Sequence, residues 1–171
     1  MSANLEVPRA PEDAVWRFRS LTIHDGPALA EVRAAAMRPS LERLGRYDDT
    51  RVRQRFLDAF DPTCAWGMER DGRLNGCVAL RPEGDEYWLE HFLLLPEHQG
   101  QGIGSQVLAI MLQRAGGATV RLDVLQRSEA RALYDRFGFE VDHEDPVDVF
   151  MVRAAAVGGD HPTPRRRCRH P

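Results

Sequence analysis

The chain has 171 residues, 43% of them hydrophobic and 29% charged, the profile of an ordinary soluble domain long enough to close one sizeable core. A net charge of -3 removes any whole-protein electrostatic argument for nucleic acid, and all 23 basic residues are arginine. No apolar run approaches the roughly 20 residues of a membrane helix, and MSANLEVPRAPED lacks the order of a signal peptide, so no membrane partner and a cytoplasmic location are expected.

In chain order, residues 1–12 are polar and Pro-rich and read as a flexible arm. VWRFRSLTI (15–23) has strand-type residues. HDGPALAEVRAAAMRPSLERLG reads as a helix, with Asp25 or Gly26 near its cap and Pro27 in its first turn. Asp49 or Thr50 would cap a second helix carrying Val52, Phe56, Leu57 and Phe60 on one side. CAWGMERDGRLNGCVALR holds two β-like runs around Asp71-Gly72, a hairpin signal, and RPEGDE then turns the chain into YWLEHFLLLP, which Pro96 ends. After the glycine stretch HQGQGIGSQV come a helix to about Ala115 and the strand TVRLDVL. SEARALYDRFGF sets Ala130, Leu133, Tyr134 and Phe137 on one helical face, with Gly138 at a C-cap position. FEVDHED and DVFMVR close the chain as strands, within a single α/β domain of mixed sheet spanning 13–153. Residues 154–171 carry Arg165, Arg166, Arg167 and Arg169, and read as a solvated disordered tail. Cys64, Cys77 and Cys168 have no metal-type spacing; Cys64 and Cys77 read as reduced residues in or near strands, and no histidine cluster points to a metal.

Three glycines in five residues, Gly100, Gly102 and Gly104, stand between an apolar strand and a helix. Such a junction demands φ > 0 or a close backbone approach, and the N–H groups of the helix start form an anion site. A P-loop is excluded as that motif is defined, because the chain has no lysine. A dinucleotide fingerprint would need GxGxxG where this chain has G-x-G-x-G, although Asp123 lies near the distance of a ribose-binding acid. The third pattern is Q-x-x-G-x-G opening a helix, with Gln99, Gly102 and Gly104; a plain tight turn would also account for the glycines.

Four stretches together resemble the GNAT superfamily of N-acetyltransferases, over roughly residues 15–153. LPEHQGQGIGSQVL is similar to its acyl-CoA pyrophosphate loop and following helix. VLQRSEARALYDRFGFEV is similar to its later strand and helix ending in Tyr134, Gly138 and Phe139. DVFMVR resembles its closing strand, and LGRYDDTRVRQRF an early segment of some small bacterial members. One departure is Ser128-Glu129-Ala130, where close relatives carry Asn before the helix; Ser128 can still cap it, but a polar contact to the cofactor is put in question.

The resemblance implies a mixed, mostly antiparallel sheet flanked by helices and splayed between WLEHFLLLP and TVRLDVL, with acetyl-CoA as co-substrate in the cleft. Phe92, Leu93, Leu94 and Leu95 would meet pantetheine through backbone, and Gln99, Gly100, Gln101, Gly102, Ile103, Gly104 and Ser105 would hold the pyrophosphate. Transfer of acetyl to an amine needs a base for the ammonium and an acid for the departing thiolate. Tyr134, at the family position, is the acid, unless it is only a core aromatic. For the base, Glu90 is favoured over His91; strand alternation puts the two on opposite faces, so that only one can face the acceptor. Glu90 as a salt-bridged or solvated strand carboxylate remains open.

Arg38, Arg46, Tyr47 and Asp48 fall in the segment that shapes the acceptor pocket in this family, and the first three are the candidate substrate contacts. The implied reaction is direct attack of a small-molecule or peptide amine on acetyl-CoA, without a covalent enzyme intermediate. A non-catalytic acyl-CoA-binding module is the alternative, a nucleic-acid role for the tail is a second one, and a homodimer is compatible with either.

Overall fold

In the computed structural model, residues 6–156 are described. The Arg-rich tail from residue 157 onward, with Cys168, lies outside the described residues, as do residues 1–5. The strands are β1 (Arg17–Ser20), β2 (Ala65–Arg70), β3 (Arg73–Glu83), β4 (Glu86–Leu94), β5 (Val120–Leu125), β6 (Glu140–Glu144) and β7 (Asp148–Arg153). The helices are α1 (Gly26–Arg43), α2 (Asp49–Ala59), α3 (Ile103–Arg114) and α4 (Ala130–Arg136). Among the described residues one sheet forms, in the order β1-β2-β3-β4-β5-β7-β6. Every neighbouring pair is antiparallel except β4 and β5. This is the mixed, mostly antiparallel sheet that the resemblance implied.

Strand alternation sorts the side chains into two cores. On one face Val78, Leu80, Leu89, Val120, Leu122, Val149 and Met151 meet Val107, Leu108 and Met111 of α3 and Tyr134 of α4. On the other, Cys77, Ala79 and Leu93 meet Leu29, Ala30 and Val32 of α1 and Phe56 of α2. The first core runs from Phe18 of β1 to Met151 of β7, while the second draws its strand residues from β2, β3 and β4.

Several local expectations shift by a residue or two. α2 is capped by Asp48, not by Asp49 or Thr50. The Asp48 backbone is extended (φ -135°), as a cap requires, and its carboxylate accepts the Arg51 N–H at 2.7 Å. Val52, Phe56 and Phe60 are buried, but Leu57 is 39% exposed because it falls at the edge of the apolar stripe. The RPEGDE stretch is mostly strand: β3 runs to Glu83, and only Gly84 and Asp85 turn the chain. Of the expected loose arm, Pro8 is buried, and Val7 and Ala10 pack against the first core, so residues 6–12 are tied down by apolar contact.

Candidate active site

The parallel pair β4–β5 is the seam of the molecule. Its register contains only Tyr87↔Val120 and Trp88↔Arg121, with the Tyr87 N–H on the Thr119 carbonyl at 2.9 Å. Beyond Trp88 the two strands separate. β4 continues to Leu94 against β3 alone, and β5 pairs along its whole length with β7. Alternate backbone groups of Leu89–Leu94 therefore face the gap without a ladder partner, which leaves them for a ligand's amides. Phe92, Leu93, Leu94 and Leu95 form this edge and its exit; the Gln99 side-chain amide donates to the Leu94 carbonyl at 2.7 Å, which ties the next loop back to the strand.

That loop reads Gln99-Gly100-Gln101-Gly102 and delivers the chain to α3. Gly100 has φ +71° and Gly102, the residue preceding α3, has φ +83°. Both are left-handed conformations that other residues adopt at a cost. Gln101 is pinned by its side-chain amide on the Glu97 carbonyl at 2.8 Å. The first helical bond runs from Gln106 N–H to the Gly102 carbonyl at 3.1 Å, so the N–H groups of Ile103, Gly104 and Ser105 have no intrahelical acceptor. Gly104 differs from the other two. It is helical, and a Cβ there would lie 3.5 Å from Leu133 Cδ2 and 4.0 Å from Phe92 Cζ, ordinary contact distances.

Tyr134 lies in the last turn of α4, buried in the first core. The Phe139 N–H bonds the Tyr134 carbonyl at 3.2 Å and the Gly138 N–H the Asp135 carbonyl at 3.1 Å, with Gly138 at φ +80°. These two bonds are a Schellman cap, and the Tyr134–Phe139 ring contact at 5.8 Å is its customary apolar clasp. The Tyr-x-x-x-Gly-Phe spacing is thus a helix stop that fixes the tyrosine in the last turn. Burial pushes the Tyr134 phenol well above its ordinary range, and the charge of Asp123 adds to the shift. Ser128 Oγ accepts the Ala130 N–H at 3.3 Å, so the serine supports the start of α4.

On the other side of the seam the chain departs from simple alternation. Ala79 pairs with Glu90 and Cys77 with Leu93, so β4 spends two residues, His91 and Phe92, opposite Val78. His91 takes φ +47° at this bulge. The consequence corrects the expectation for Glu90 and His91. Glu90 lies across from Ala79 on the α1/α2 face, and the His91 ring packs edge-on against Phe56 at 5.0 Å on the same face. Both residues face one side because the bulge inserts the half-turn that alternation would forbid. A bulge leaves no reliable mark in a run such as WLEHFLLLP, and the sequence carried no signal for it.

Glu90 is held by Arg81 through two bonds, Nε to Oε2 at 3.0 Å and Nη2 to Oε1 at 2.9 Å. His91 is pushed below its ordinary range by burial, then by Arg33; Glu90 and a hydrogen bond to the Ala59 carbonyl oppose this. Cys77 donates its thiol to the His91 carbonyl at 3.3 Å. Asp123 stands on β5 across the gap. It is exposed, yet enough protein surrounds it that desolvation and then Glu90 push its carboxyl up, against Arg33 and Arg55. Arg33, Arg81 and Asp148 also belong to this region and were not singled out from sequence. They lie far apart in the chain and in no motif.

The early segment contributes less. Arg38 lies over the Tyr47 ring at 4.3 Å and donates to its hydroxyl at 2.9 Å, and the Tyr47 hydroxyl donates to Asp49 at 2.9 Å. Arg46 does not join this exposed cluster; its charge acts on Asp145 in the β6–β7 connection.

An acetyltransferase (GNAT) domain model matches residues 61–141. That stretch, just under half of the chain, is similar to a GNAT domain. Mycothiol acetyltransferase of Acidimicrobium ferrooxidans is 36% identical over 106 residues, which cover 57% of this chain and 34% of that protein. The chain therefore spans about a third of the length of that curated relative. Among solved structures, PaiA N-acetyltransferase from Thermoplasma acidophilum, in complex with coenzyme A, superposes with a TM-score of 0.66 at 21% identity, covering 82% of this chain and 99% of that one. PH1933 from Pyrococcus horikoshii OT3 gives 0.66 at 20% identity, covering 83% and 99%. These likenesses establish the GNAT fold. No described helix is long and apolar enough to cross a membrane.

Proposed function

We propose that this GNAT-like domain is an acetyl-CoA-dependent N-acetyltransferase acting on an amine by direct attack. The observation that carries the reading is the seam itself. A β4 edge without ladder partners runs into a helix start whose N–H groups lack intrahelical acceptors, and a tyrosine is fixed beside the opening. Pantetheine amides would take the β4 edge at Phe92 to Leu95. The pyrophosphate would take the N–H groups from Gln99 to Ser105, with the α3 dipole adding to its stabilisation. Ser128, beside α4, is the remaining cofactor contact in this reading.

The bound thioester supplies an acyl carbon open to a neutral amine. The acceptor ammonium first gives a proton to the Glu90 side, through water; each oxygen of a carboxylate has a second lone-pair position, so the Arg81 bridge leaves room for this. The amine nitrogen then forms its bond to the acyl carbon while the carbon–sulfur bond breaks. The departing sulfur takes a proton from Tyr134, and the second proton shed by nitrogen passes through water to restore the phenol. The raised phenol stays protonated at neutral pH, as a donor must. Arg38 and Tyr47, and Arg46 from the other side, would border the acceptor entrance.

One observation favours a non-catalytic acyl-CoA-binding module: both Glu90 oxygens are already engaged by Arg81, as in a structural ion pair. Acetyl-CoA binding measured together with thiol release over a broad amine panel separates the two. Turnover of any amine supports the enzyme, binding without turnover supports the module, and absence of binding removes both.

A further inference from the structure

α1 carries an arginine on its inward side. Arg33 lies one turn from Leu29 and Met37, with Ala30 three residues before it, and all of these pack into the second core. Its Nε is buried and has no hydrogen-bond partner, and Arg33 forms no ion pair with any described residue. Burying that part of a guanidinium is costly, because it loses water and no hydrogen bond replaces it at Nε. The charges that act on it or feel it are those of Arg55 on α2, the bulge residues Cys77 and His91, and Asp123 and Asp148 across the gap; Arg55 acts on both aspartates as well.

The register explains why the two aspartates face it. Asp123 pairs with Phe150 and Leu125 with Asp148, so Asp123 and Asp148 share the sheet face opposite Leu122, Val124, Val149 and Met151, which fill the first core. α1 and α2 stop short of these strands and leave that face open to the cleft. Neither aspartate forms an ion pair with another described residue. The two sides of the seam therefore present a cation on α1 with an unpartnered Nε and a carboxylate on β5 outside any described ion pair, with Tyr134 and Glu90 both feeling or acting on Asp123.

We infer that Arg33 and Asp123 together recognise an acceptor bearing a carboxylate beside its amine, Arg33 taking the carboxylate and Asp123 the ammonium at the seam. This rests on the acetyltransferase reading. The chemistry is complementary on both sides. A guanidinium is the planar, forked donor that matches a carboxylate, and its desolvated position strengthens that contact. A carboxylate at the gap holds the ammonium where it must lose its proton. An acceptor lacking the carboxylate would leave the buried Arg33 Nε without a partner, the arrangement by which a site rejects a ligand missing one polar group.

The test compares amino acids with the corresponding amines that lack the carboxylate, as acceptors for the full chain with acetyl-CoA, read by thiol release. The carboxylate-bearing member of the best pair should have the higher kcat/KM by at least about tenfold, the scale of one charge-assisted hydrogen bond. Arg33→Met should bring the two members within about twofold of each other and leave the KM for acetyl-CoA unchanged. The same pairs titrated by NMR onto protein saturated with coenzyme A give the preference without turnover, so a failure of catalysis is read separately from a failure of recognition. Arg33→Met should also raise Tm, since it removes a buried Nε that has no partner; Arg33→Lys, which keeps the charge, should retain part of the preference. Equal use or binding of the two members, a preference that survives Arg33→Met, or a fall in Tm in that variant overturns the inference.

Discussion

The two banks of the seam are built by different means. On the α3 bank the features that matter are backbone features: a φ of +83° at Gly102, a first helical turn with open N–H groups, a Schellman cap at Gly138. Each is written within about six consecutive residues. On the α1/α2 bank the features are side chains from distant segments, Arg33, Arg81, Glu90 and His91, brought together by a bulge and by strand register, with Asp123 across the gap on β5. Backbone sites of the first kind suit a ligand portion with a constant shape, and side-chain sites of the second kind suit one that varies between relatives. Damage to the first bank should therefore remove binding, whereas damage to the second should change rate and choice.

The strongest break in that contrast is Gly102→Asp. The new carboxylate would sit at the anion site, and the residue would hold a left-handed conformation costing on the order of 1–2 kcal/mol. No atom lies within 4 Å of an added Cβ, so the protein should fold. Acetyl-CoA binding by calorimetry should be lost, while Gly102→Ala, with the strain and without the charge, should keep more of it. Equal affinities in the two variants would remove the electrostatic account of this bank.

Next in size is Glu90→Gln, which keeps shape and one acceptor but loses the charge facing Arg81. A fall in kcat/KM of about 10²–10⁴ is expected if Glu90 moves the acceptor proton. Partial recovery should follow as pH rises and more of the amine is already neutral. Arg81→Ala separates support from chemistry: it should raise the KM for the amine and lower Tm without reproducing the pH recovery. A silent Glu90→Gln beside a damaged His91→Gln would move the base by one residue along the bulge.

Tyr134→Phe should act more gently, toward the lower end of the same range, because a thiolate near pKa 8.5 leaves tolerably well unprotonated. The ring packing with Phe139 survives, so Tm should stay nearly constant and only kcat should fall. An unchanged kcat, under conditions where chemistry limits the rate, would leave Tyr134 as a core ring and would favour the binding module.

The smallest effect is on stability against pH. His91 titrates lower when folded than its ordinary 6.5, mainly through burial. Below about that value the unfolded chain takes up a proton that the folded one refuses, so this contribution is complete above pH 6.5 and declines as pH falls. Asp123 and Asp148, raised by burial, pull the other way, since their folded carboxyls hold protons longer as pH rises from the ordinary 3.8. His91→Gln should flatten the slope of Tm below about pH 6.5. An identical slope in the variant would place His91 in a more solvated site than its Phe56 and Ala59 contacts imply.

Much of the fold was legible because its determinants are local. The Asp71-Gly72 hairpin and the Pro27 helix start fall where turn and cap chemistry put them. The Gly138 stop does the same, and its cap explains why a tyrosine four residues earlier is held in place. Reading Asp49 or Thr50 as the α2 cap missed by one residue, because adjacent aspartates offer the same oxygen and only the backbone angle selects Asp48. Pro8 and Val7 were read as part of a loose arm from polarity, yet an apolar minority was enough to anchor residues 6–12.

By itself the sequence determined that a strand meets a helix through a glycine turn able to hold an anion, and that a tyrosine stands one Schellman cap before Gly-Phe; both depend on φ and ψ preferences of neighbouring residues. Tertiary structure decided where the sheet parts, since pairing of β4 with β5 ends at Trp88 and its limit depends on strands more than 30 positions apart. It also decided that Glu90 and His91 share a face and that Asp123 and Asp148 share one on β5 and β7. A bulge and a register are properties of paired strands, and buried charges declare themselves only when the groups that could neutralise them are seen to be elsewhere.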